Sequence, residues 1–224
     1  ASQEVRMVAS NKKDPRVIKT RTSLYKALVY LLQREKLSNI SVQKITETAR
    51  VTRGTFYLHY KDKQDFVESA IHSILNDFFD TVLIKQELTA EGDGPISVQA
   101  FSLRRAFEYI EDNAETFDVL LNNKKNEFFY ERMYNSLADK LTAYYHQLEL
   151  AGQVSDEDVP LRLQVALLDS AIMGLISHWL KDGLIYTPRY MTTNVNKMLQ
   201  GVKNQPLALV NFFVAEEPVD APTI

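Results

Sequence analysis

The sequence predicts an all-α protein, in which a three-helix helix-turn-helix head is joined by a long helix to a helical body. Three observations predict this class. The 224 residues include only seven Gly and seven Pro, apolar residues recur at spacings of three and four, and Val, Ile and Thr runs of period two are scarce. An apolar content of 45% is enough for a buried core in one large domain or two small ones.

The first helix is expected from Asp14 to about Glu35. Asp14 followed by Pro15 is typical of an N-cap and a first helical position, because proline needs no hydrogen-bonded N–H there. One apolar stripe follows, made of Val17, Leu24, Leu28, Leu31 and Leu32. The preceding residues 1–13 are polar and show no periodicity, so we expect them to form a flexible basic arm.

Two short helices joined by a three-residue turn are expected next. Ser41 is placed as the N-cap of the second helix, which turns Val42, Ile45 and Ala49 inward. Thr52 is placed to cap the third helix, RGTFYLHY. The two helices and their turn have the size and spacing of a helix-turn-helix unit.

A long fourth helix and a helical body follow. Asp62, with Asp65 three places later, is expected to cap the fourth helix, which continues to about Lys85. After a turn-rich break at 91–95, helical segments are expected near 97–113, 115–122, 127–151 and 158–182. Thr187 and Pro188 restart a helix to about Gln200. We expect the last eight or so residues to be loosely held.

Charge is unevenly distributed along the chain. Residues 1–63 carry 14 Lys or Arg against five Asp or Glu, whereas residues 64–224 carry 12 against 24. A basic N-terminal part favours polyanion binding, because contact with phosphates releases counterions, and an acidic remainder confines that binding to one end. The alternative is a chance excess of solvated lysines.

The third helix carries the residues best suited to reading DNA. Its N-terminus would enter the major groove, where free backbone N–H groups favour phosphate and Arg53 can reach guanine O6 and N7. Thr52 and Thr55 are candidates for contact with a thymine methyl group or a phosphate. Gly54 permits close approach of the DNA backbone, or else is a glycine tolerated in a first turn.

Further candidate contacts flank these residues. Phe56 and Tyr60 are four apart and share the core face, which leaves Tyr57 and His59 free to donate to phosphates. Lys63 begins the fourth helix, where the dipole disfavours a cation, so it has either a phosphate partner or a solvated ammonium group. The remaining candidate DNA contacts begin the second helix and are Ser41, Gln43 and Lys44.

Several classes of function are not expected. The chain has no Cys and four His, and it contains no HExxH motif and no Walker-type glycine loop. We therefore expect no enzymatic activity, no metal site and no cofactor. Nothing approaches about eighteen consecutive apolar residues, and the first residues lack a secretory signal. A cytoplasmic protein without a membrane partner is expected.

The body carries candidates for an effector pocket and a dimer interface. A ligand cavity needs apolar walls and a few convergent polar groups, although most of the aromatic residues here are expected to form the core. The pocket candidates are Tyr109, Phe117, Tyr134, His178 and Trp179. The helix from Leu161 to Leu180 is apolar on more than one stripe, which favours a two-fold dimer through it. The dimer candidates are Leu168, Ile172, Leu175 and Ile176.

The stretch ISVQKITETARVTRGTFYLHYKDKQDFVESAI resembles the N-terminal domain of TetR/AcrR regulators. The residues that carry the resemblance are Ser41, Ala49, Val51, Thr52, Gly54, Thr55, Phe56, Tyr57, His59, Tyr60 and Lys63. Arg50 stands where the family usually has a turn glycine, which either loosens the turn or adds a cation near the DNA backbone. The later segment HWLKDGLIYTPRYM resembles the subgroup typified by the dihydroxyacetone-operon regulator DhaS.

The resemblance implies a homodimeric transcriptional repressor that binds double-stranded DNA at an inverted-repeat operator, with an effector in the body controlling DNA affinity. The DhaS-like subgroup implies a protein coregulator in place of a small molecule, and a helical scaffold without DNA binding is a third possibility. The expected domains are the arm at 1–13, the helix-turn-helix DNA-binding domain at 14–62, the effector-binding and dimerisation domain at 63–203, and a C-terminal extension at 204–224.

Overall fold

The computed structural model describes residues 14–90, 94–123, 127–154, 159–201 and 208–216. The chain separates into two compact units, a head that ends at Ala70 and a body that begins at Ile71. The predicted arm and the last eight residues of the chain lie outside the described residues.

The head contains the four predicted helices and, in the connection between the first two, a short 3-10 helix that was not predicted. They are α1 (Pro15–Leu32), a 3-10 helix (Leu37–Asn39), α2 (Val42–Ala49), α3 (Arg53–His59) and the first part of α4 (Lys63–Val82). Each α-helix begins at the predicted cap, where a side-chain oxygen accepts a hydrogen bond from a backbone N–H two or three residues later. The pairs are Asp14 with Arg16, Ser41 with Lys44, Thr52 with Thr55, and Asp62 with Asp65, at 2.9, 3.2, 3.1 and 2.8 Å.

An aromatic cluster fixes α3 against α1 and α4. Phe66 is fully buried, and its ring centroid lies 5.9, 5.4 and 5.0 Å from those of Tyr25, Phe56 and Tyr60. The Tyr60 hydroxyl donates to that of Tyr25 at 3.3 Å, and burial raises the pKa of Tyr60 well above its usual value. The buried position predicted for Phe56 and Tyr60 is therefore confirmed, and the opposite face of α3 is left to solvent.

The body combines helices with a small sheet. Its elements after α4 are β1 (Leu83–Ala90), β2 (Gly94–Ser102), α5 (Leu103–Asp112), α6 (Ala114–Asn122), α7 (Glu127–Leu150), α8 (Leu161–Lys181), α9 (Pro188–Gln200), a 3-10 helix (Ala208–Phe212) and β3 (Phe213–Val214). Strands β1 and β2 form an antiparallel hairpin with Leu83 opposite Phe101 and Ala90 opposite Gly94. Strand β3 adds to β2 in parallel, with Phe101 opposite Phe213.

The all-helical class is confirmed for the chain as a whole, but the hairpin corrects two predicted bounds. Helix α4 ends at Val82 instead of about Lys85, and residues 97–102 form a strand instead of a helix start. In β2 the buried Val98 and Ala100 alternate with exposed Ser97 and Gln99, which is the period of a strand with one covered face. The hairpin is stabilised by this burial and by the pairing of β1 with β2. Neither contribution can be predicted from the spacing of apolar residues along the sequence.

A carboxylate close to the C-terminus joins the tail to the start of α5. Glu216 accepts two hydrogen bonds from the Arg105 guanidinium, both at 2.7 Å, and one from the Ser102 hydroxyl at 2.6 Å. Arg104 donates to the Glu216 backbone carbonyl at 3.1 Å. The hydrogen bond from Arg105 is the largest cause that lowers the pKa of Glu216 to about 2. The tail is thus held by a bidentate ion pair, which is the stronger form of such contacts.

Glu216→Gln is expected to destabilise the body by about 1 to 3 kcal/mol at pH 7, because the neutral amide cannot replace a carboxylate that Arg105 pairs bidentately. The folded pKa lies below that of an unfolded Glu, so the stabilisation is present above about pH 4.3 and is lost as the pH falls towards 2. Urea unfolding at pH 7, 5 and 3.5 measures this. Glu108→Gln, at an exposed partner of Arg104, is the control and should cost under about 1 kcal/mol. A loss for Glu216→Gln that is equal at pH 3.5 and pH 7 would contradict the ion pair as its cause.

Candidate nucleic-acid interface

The turn between α2 and α3 is tight although it lacks a glycine. Arg50 has φ 56° and ψ 42°, which is the left-handed conformation that ends many helices. The Val51 N–H donates to the Thr46 carbonyl at 3.0 Å, and the Arg50 N–H donates to that of Glu47 at 3.2 Å. Arginine pays about 1 kcal/mol for this conformation, and its exposed side chain lies beside the start of α3.

One face of α3 is exposed to solvent along the whole helix. Arg53 and Gly54 lie on it in the first turn, followed by Tyr57 and Leu58, whose side chains are 49% and 83% exposed. These positions recur at spacings of three and four, so they form a continuous stripe. The stripe begins at the helix N-terminus, where backbone N–H groups and an arginine favour phosphates and guanine edges.

Leu58 belongs to this stripe and was not among the predicted contacts. Among the described residues of the head it is the most exposed large apolar side chain, in a helix whose neighbouring Phe56 is fully buried. An exposed leucine in a DNA-reading helix fits contact with a thymine methyl group. Its place four residues after Gly54 is the signal in the sequence that would have identified its face.

Gly54 is not required by the packing of the head. A Cβ atom added there would meet only the Thr52 hydroxyl, at 3.7 Å, which is an ordinary contact distance. Because the fold itself tolerates a side chain at this position, the glycine leaves the first turn of α3 open to a closely approaching backbone. Both interpretations of Gly54, close approach of the DNA backbone and a tolerated first-turn glycine, agree with this open space.

Several predicted contacts have roles within the head itself. Ser41 and Thr52 cap helices, and Thr52 also shares a hydrogen bond of 2.9 Å with the Thr55 hydroxyl. Gln43 donates to Glu47 at 2.8 Å. Lys44 pairs with Glu35 at 2.7 Å and donates to the Asn39 carbonyl at 3.2 Å. These polar groups hold the ends of α2 and α3 in position and lie largely at the surface.

Lys63 and His59 differ in the contacts that they make within the head. The Lys63 ammonium donates to the carbonyls of Leu37 and Ile40 at 3.1 and 3.0 Å, so two of its three N–H groups stabilise the connection between α1 and α2. His59 is half-buried, with its ring 6.2 Å from that of Tyr60. The contacts of Lys63 explain a cation at the start of α4 without a phosphate.

The predicted effector residues have different side-chain neighbours. Tyr109 and Phe117 lie 6.0 Å apart, centroid to centroid, in a cluster with Phe78. Tyr134 stacks on Tyr130, Trp179 packs on Phe107 and donates to the Tyr186 carbonyl, and the exposed His178 lies 3.1 Å from Asp182. Phe117 and Trp179 are thus buried in the core, whereas Tyr109 is half-buried.

A cavity of about 410 Å³ lies elsewhere in the body, between β1, α7, α9 and the C-terminal residues. Its walls include Leu88, Leu148 and Phe213. The polar side chains that line it are five amides and one phenol, namely Gln86, Gln153, Asn196, Gln200, Asn211 and Tyr144. None of the described side chains in this lining carries a formal charge. Amides both donate and accept hydrogen bonds, so the cavity suits an uncharged polar molecule.

Helix α8 has a buried face and an uncovered apolar face. Three of the predicted dimer residues, Leu168, Ile172 and Ile176, are buried inside the body, and Leu175 is half-buried. The uncovered face consists of Leu163, Ala166, Leu167, Ser170, Ala171 and Gly174. By length and composition α8 would also suffice to cross a membrane, with a mean hydropathy of 1.4 over a window that is 44% buried. Helices in the core of soluble proteins have the same properties.

Two family descriptions match separate parts of this chain. "Bacterial regulatory proteins, tetR family" matches residues 24–70, and "Transcriptional regulator C-terminal region" matches residues 101–201. The first match contains α2, α3 and the exposed stripe, and the second contains α5 to α9. Both describe transcriptional regulators, in agreement with the expectation that the chain is not an enzyme.

Curated relatives are HTH-type transcriptional regulators that are themselves uncharacterised. YxbF of Bacillus subtilis is 22% identical over 207 residues, which are 88% of this chain and 48% of that protein. A Haemophilus influenzae regulator is 32% identical over 59 residues, which are 26% of this chain and 32% of that protein. The chain therefore spans about half or less of the length of these relatives.

Solved structures share the fold. A TetR transcriptional regulator from Streptococcus agalactiae has a TM-score of 0.54 and 22% identity, with 82% of this chain and 94% of that chain covered. The dihydroxyacetone kinase operon activator DhaS has a TM-score of 0.51 and 16% identity, with 83% and 97% covered. DhaS is thus one distant structural neighbour among several.

Proposed function

Because this chain belongs to the TetR family of bacterial transcriptional regulators, we propose that it is a homodimeric repressor that binds an inverted-repeat operator in the cytoplasm. The exposed stripe of α3 carries this proposal. It presents Arg53, Gly54, Tyr57 and Leu58 on a helix whose opposite face is locked by buried Phe56 and Tyr60. A rigid helix with one exposed face of this composition is suited to the major groove.

The dimer is proposed to form through the uncovered face of α8. Leu163 and Leu167 are each 61% exposed, and Ala166, Ala171 and Gly174 beside them allow a second helix to approach closely. This replaces the predicted set, because Leu168, Ile172 and Ile176 already pack inside the body. A two-fold dimer would place two copies of α3 on successive half-sites of an inverted repeat.

The effector is proposed to be a small uncharged polar molecule bound in the 410 Å³ cavity. The volume is within the range of small-molecule sites, and the amide lining favours hydroxyl or amide groups over ions. A protein coregulator of the DhaS kind is the alternative. The likeness to DhaS concerns the fold alone, whereas the cavity is a property of this chain, so the small molecule is favoured.

Selection of bound sequences from a random DNA pool, at near-physiological salt and with the full chain, tests the proposed function. We expect enrichment of an inverted repeat with half-site centres about one helical turn apart or slightly more. Salt-sensitive binding without sequence enrichment would contradict a sequence-specific regulator, as would saturation of an asymmetric half-site by one monomer.

Arg53→Ala is expected to weaken operator binding by about 1 to 3 kcal/mol and to relax the preference at one base pair in each half-site. The reason is that Arg53 is the cation of the α3 stripe and lies in its first turn. Repeating the selection with this variant measures the loss of preference. Lys19→Ala, at an exposed cation of α1, is the matched control and should keep the base preference. Unchanged specificity in Arg53→Ala would remove Arg53 as a base-reading residue.

A further inference from the structure

The outer edge of β1 has no partner within the described parts of the chain. The sheet order is β1-β2-β3, so β1 pairs with β2 on one side only. None of the backbone hydrogen bonds outside the helices and strand ladders involves residues 83–90. An eight-residue edge strand therefore presents a row of backbone donors and acceptors to its surroundings.

The side chains of β1 alternate between two faces. Ile84, Gln86 and Leu88 are half-buried, whereas Lys85 and Glu87 are exposed. Around Gln86 the segment Ile-Lys-Gln-Glu-Leu has an apolar residue at each end and opposite charges at equal distances from the centre. Two copies of a segment with this symmetry are complementary to each other when they pair antiparallel.

We propose that β1 pairs antiparallel with β1 of a second copy of this chain, about a two-fold axis that passes through Gln86. In this register Lys85 lies opposite Glu87 of the partner subunit, and Ile84 lies opposite the partner's Leu88. Residues directly opposite in an antiparallel pair share a face, and such pairs stabilise a sheet when they are apolar or oppositely charged. Both faces of the joined sheet are thus matched, and the two three-stranded sheets form one continuous six-stranded sheet.

The neighbouring two-fold registers are disfavoured by charge. Centring the pair on Lys85 would place two lysines directly opposite each other, and centring it on Glu87 would do the same for two glutamates. If one strand were shifted by one residue, the exposed positions of one copy would lie opposite the half-buried positions of the other. Such a shift would turn the half-buried side chains of one strand to the exposed face of the sheet. Like charges directly opposite destabilise a strand pair, so the register centred on Gln86 is selected.

Gln86 gives an independent reason for the same register. Its side-chain oxygen is enclosed and has no hydrogen-bond partner among the described residues. Unpaired buried acceptors are uncommon because they forfeit a hydrogen bond with water. In the paired sheet the amide of the partner's Gln86 lies directly opposite on the same face, and a rotation of the Gln86 side chain towards the edge would bring its oxygen within reach of that amide N–H.

This pairing goes beyond the dimer proposed through α8, because it uses a different surface of the body. If α8 and β1 join a copy to two different neighbours, the closed assembly has at least four copies and carries two operator-binding pairs of heads. Such an assembly would hold two operators at once. Once one operator is bound, the second pair of heads is held near a neighbouring operator at a high effective concentration, so two linked operators are bound more tightly than by separate dimers.

Sedimentation of the full chain across a concentration series tests the pairing. Lys85→Glu and Glu87→Lys each place like charges opposite one another, so each is expected to halve the assembled mass. The double variant Lys85→Glu with Glu87→Lys restores opposite charges and should recover it. An equimolar mixture of the two single variants should also recover it, because two glutamates then face two lysines. Glu111→Lys, at an exposed position of α5, is the charge control and should leave the mass unchanged.

A Leu167→Glu background separates this pairing from the α8 dimer. If both interfaces form, Leu167→Glu reduces four copies to two, and adding Lys85→Glu reduces two to one. If the α8 dimer fails and the β1 pairing holds, the wild-type mass is unaffected by Leu167→Glu and is halved by Lys85→Glu. Equal masses for the wild type and both single variants would overturn the β1 pairing, as would a charge-swapped double variant or a mixture that stays at the smaller mass.

Discussion

Asp169→Asn is expected to make the body more stable at pH 8 by up to about 4 kcal/mol, and to leave its stability near pH 4 almost unchanged. Asp169 lies on the inner face of α8 with no exposed surface, and within the described parts of the chain neither of its carboxylate oxygens has a hydrogen-bond partner. Burial raises the pKa of Asp169 to about 7. A buried carboxylate without a partner is costly once it ionises.

The direction of the pH dependence follows from this raised pKa. Below about pH 4 the carboxyl group is protonated in both the folded and the unfolded chain. Between about pH 4 and pH 7 the unfolded chain loses the proton while the folded chain keeps it, so stability falls as the pH rises. Above pH 7 the loss is complete. Asparagine does not titrate, so its advantage over aspartate grows across this interval.

Urea unfolding at pH 4, 5, 6, 7 and 8 measures the difference between Asp169→Asn and the wild type. The chain contains one tryptophan, Trp179, which is buried in α8 and therefore reports the unfolding of the body. Asp80→Asn, at an exposed carboxylate of α4, is the matched control and should change stability by under about 0.5 kcal/mol at every pH. A difference for Asp169→Asn that stays constant from pH 4 to pH 8 would show that the buried carboxyl group does not titrate as argued.

Phe66→Ala is expected to cost the head about 3 to 5 kcal/mol, because it leaves a cavity among Tyr25, Phe56 and Tyr60. A unit of this size is marginally stable, so a loss of this magnitude is comparable with its whole free energy of unfolding. We expect the head to unfold at room temperature and operator binding to be lost, while the body stays folded.

Two measurements locate the damage of Phe66→Ala in the head. Circular dichroism should show a loss of helix, whereas the urea transition of Trp179 fluorescence should be unchanged, because that residue lies in the body. Leu58→Ala removes an 83% exposed side chain from the same unit and should keep the full helix signal. A Phe66→Ala head that retains its helix content and unfolds with a loss below about 1 kcal/mol would refute the role of Phe66 as the centre of the cluster.

The bounds of the head could be predicted closely because local chemistry decides them. Asp14, Ser41, Thr52 and Asp62 begin helices by bonding to backbone N–H groups only two or three residues away. The division of α3 into a buried and an exposed face likewise follows from helical spacing alone. The same spacing, applied to every residue of α3, would also have identified Leu58.

The order of residues along the chain is enough to predict the helical class, the helix caps of the head, the basic end of the chain and the Arg53 face of α3. Tertiary structure decided that residues 83–102 form a hairpin, that Lys63 bonds to the carbonyls of Leu37 and Ile40, and which stripe of α8 stays uncovered. The physical reason is the distance along the chain over which each contact acts. Caps and helical faces depend on neighbours within about four residues, whereas strand pairing, the partner of an ammonium group and the buried stripe of an apolar helix depend on residues that only the folded chain brings together.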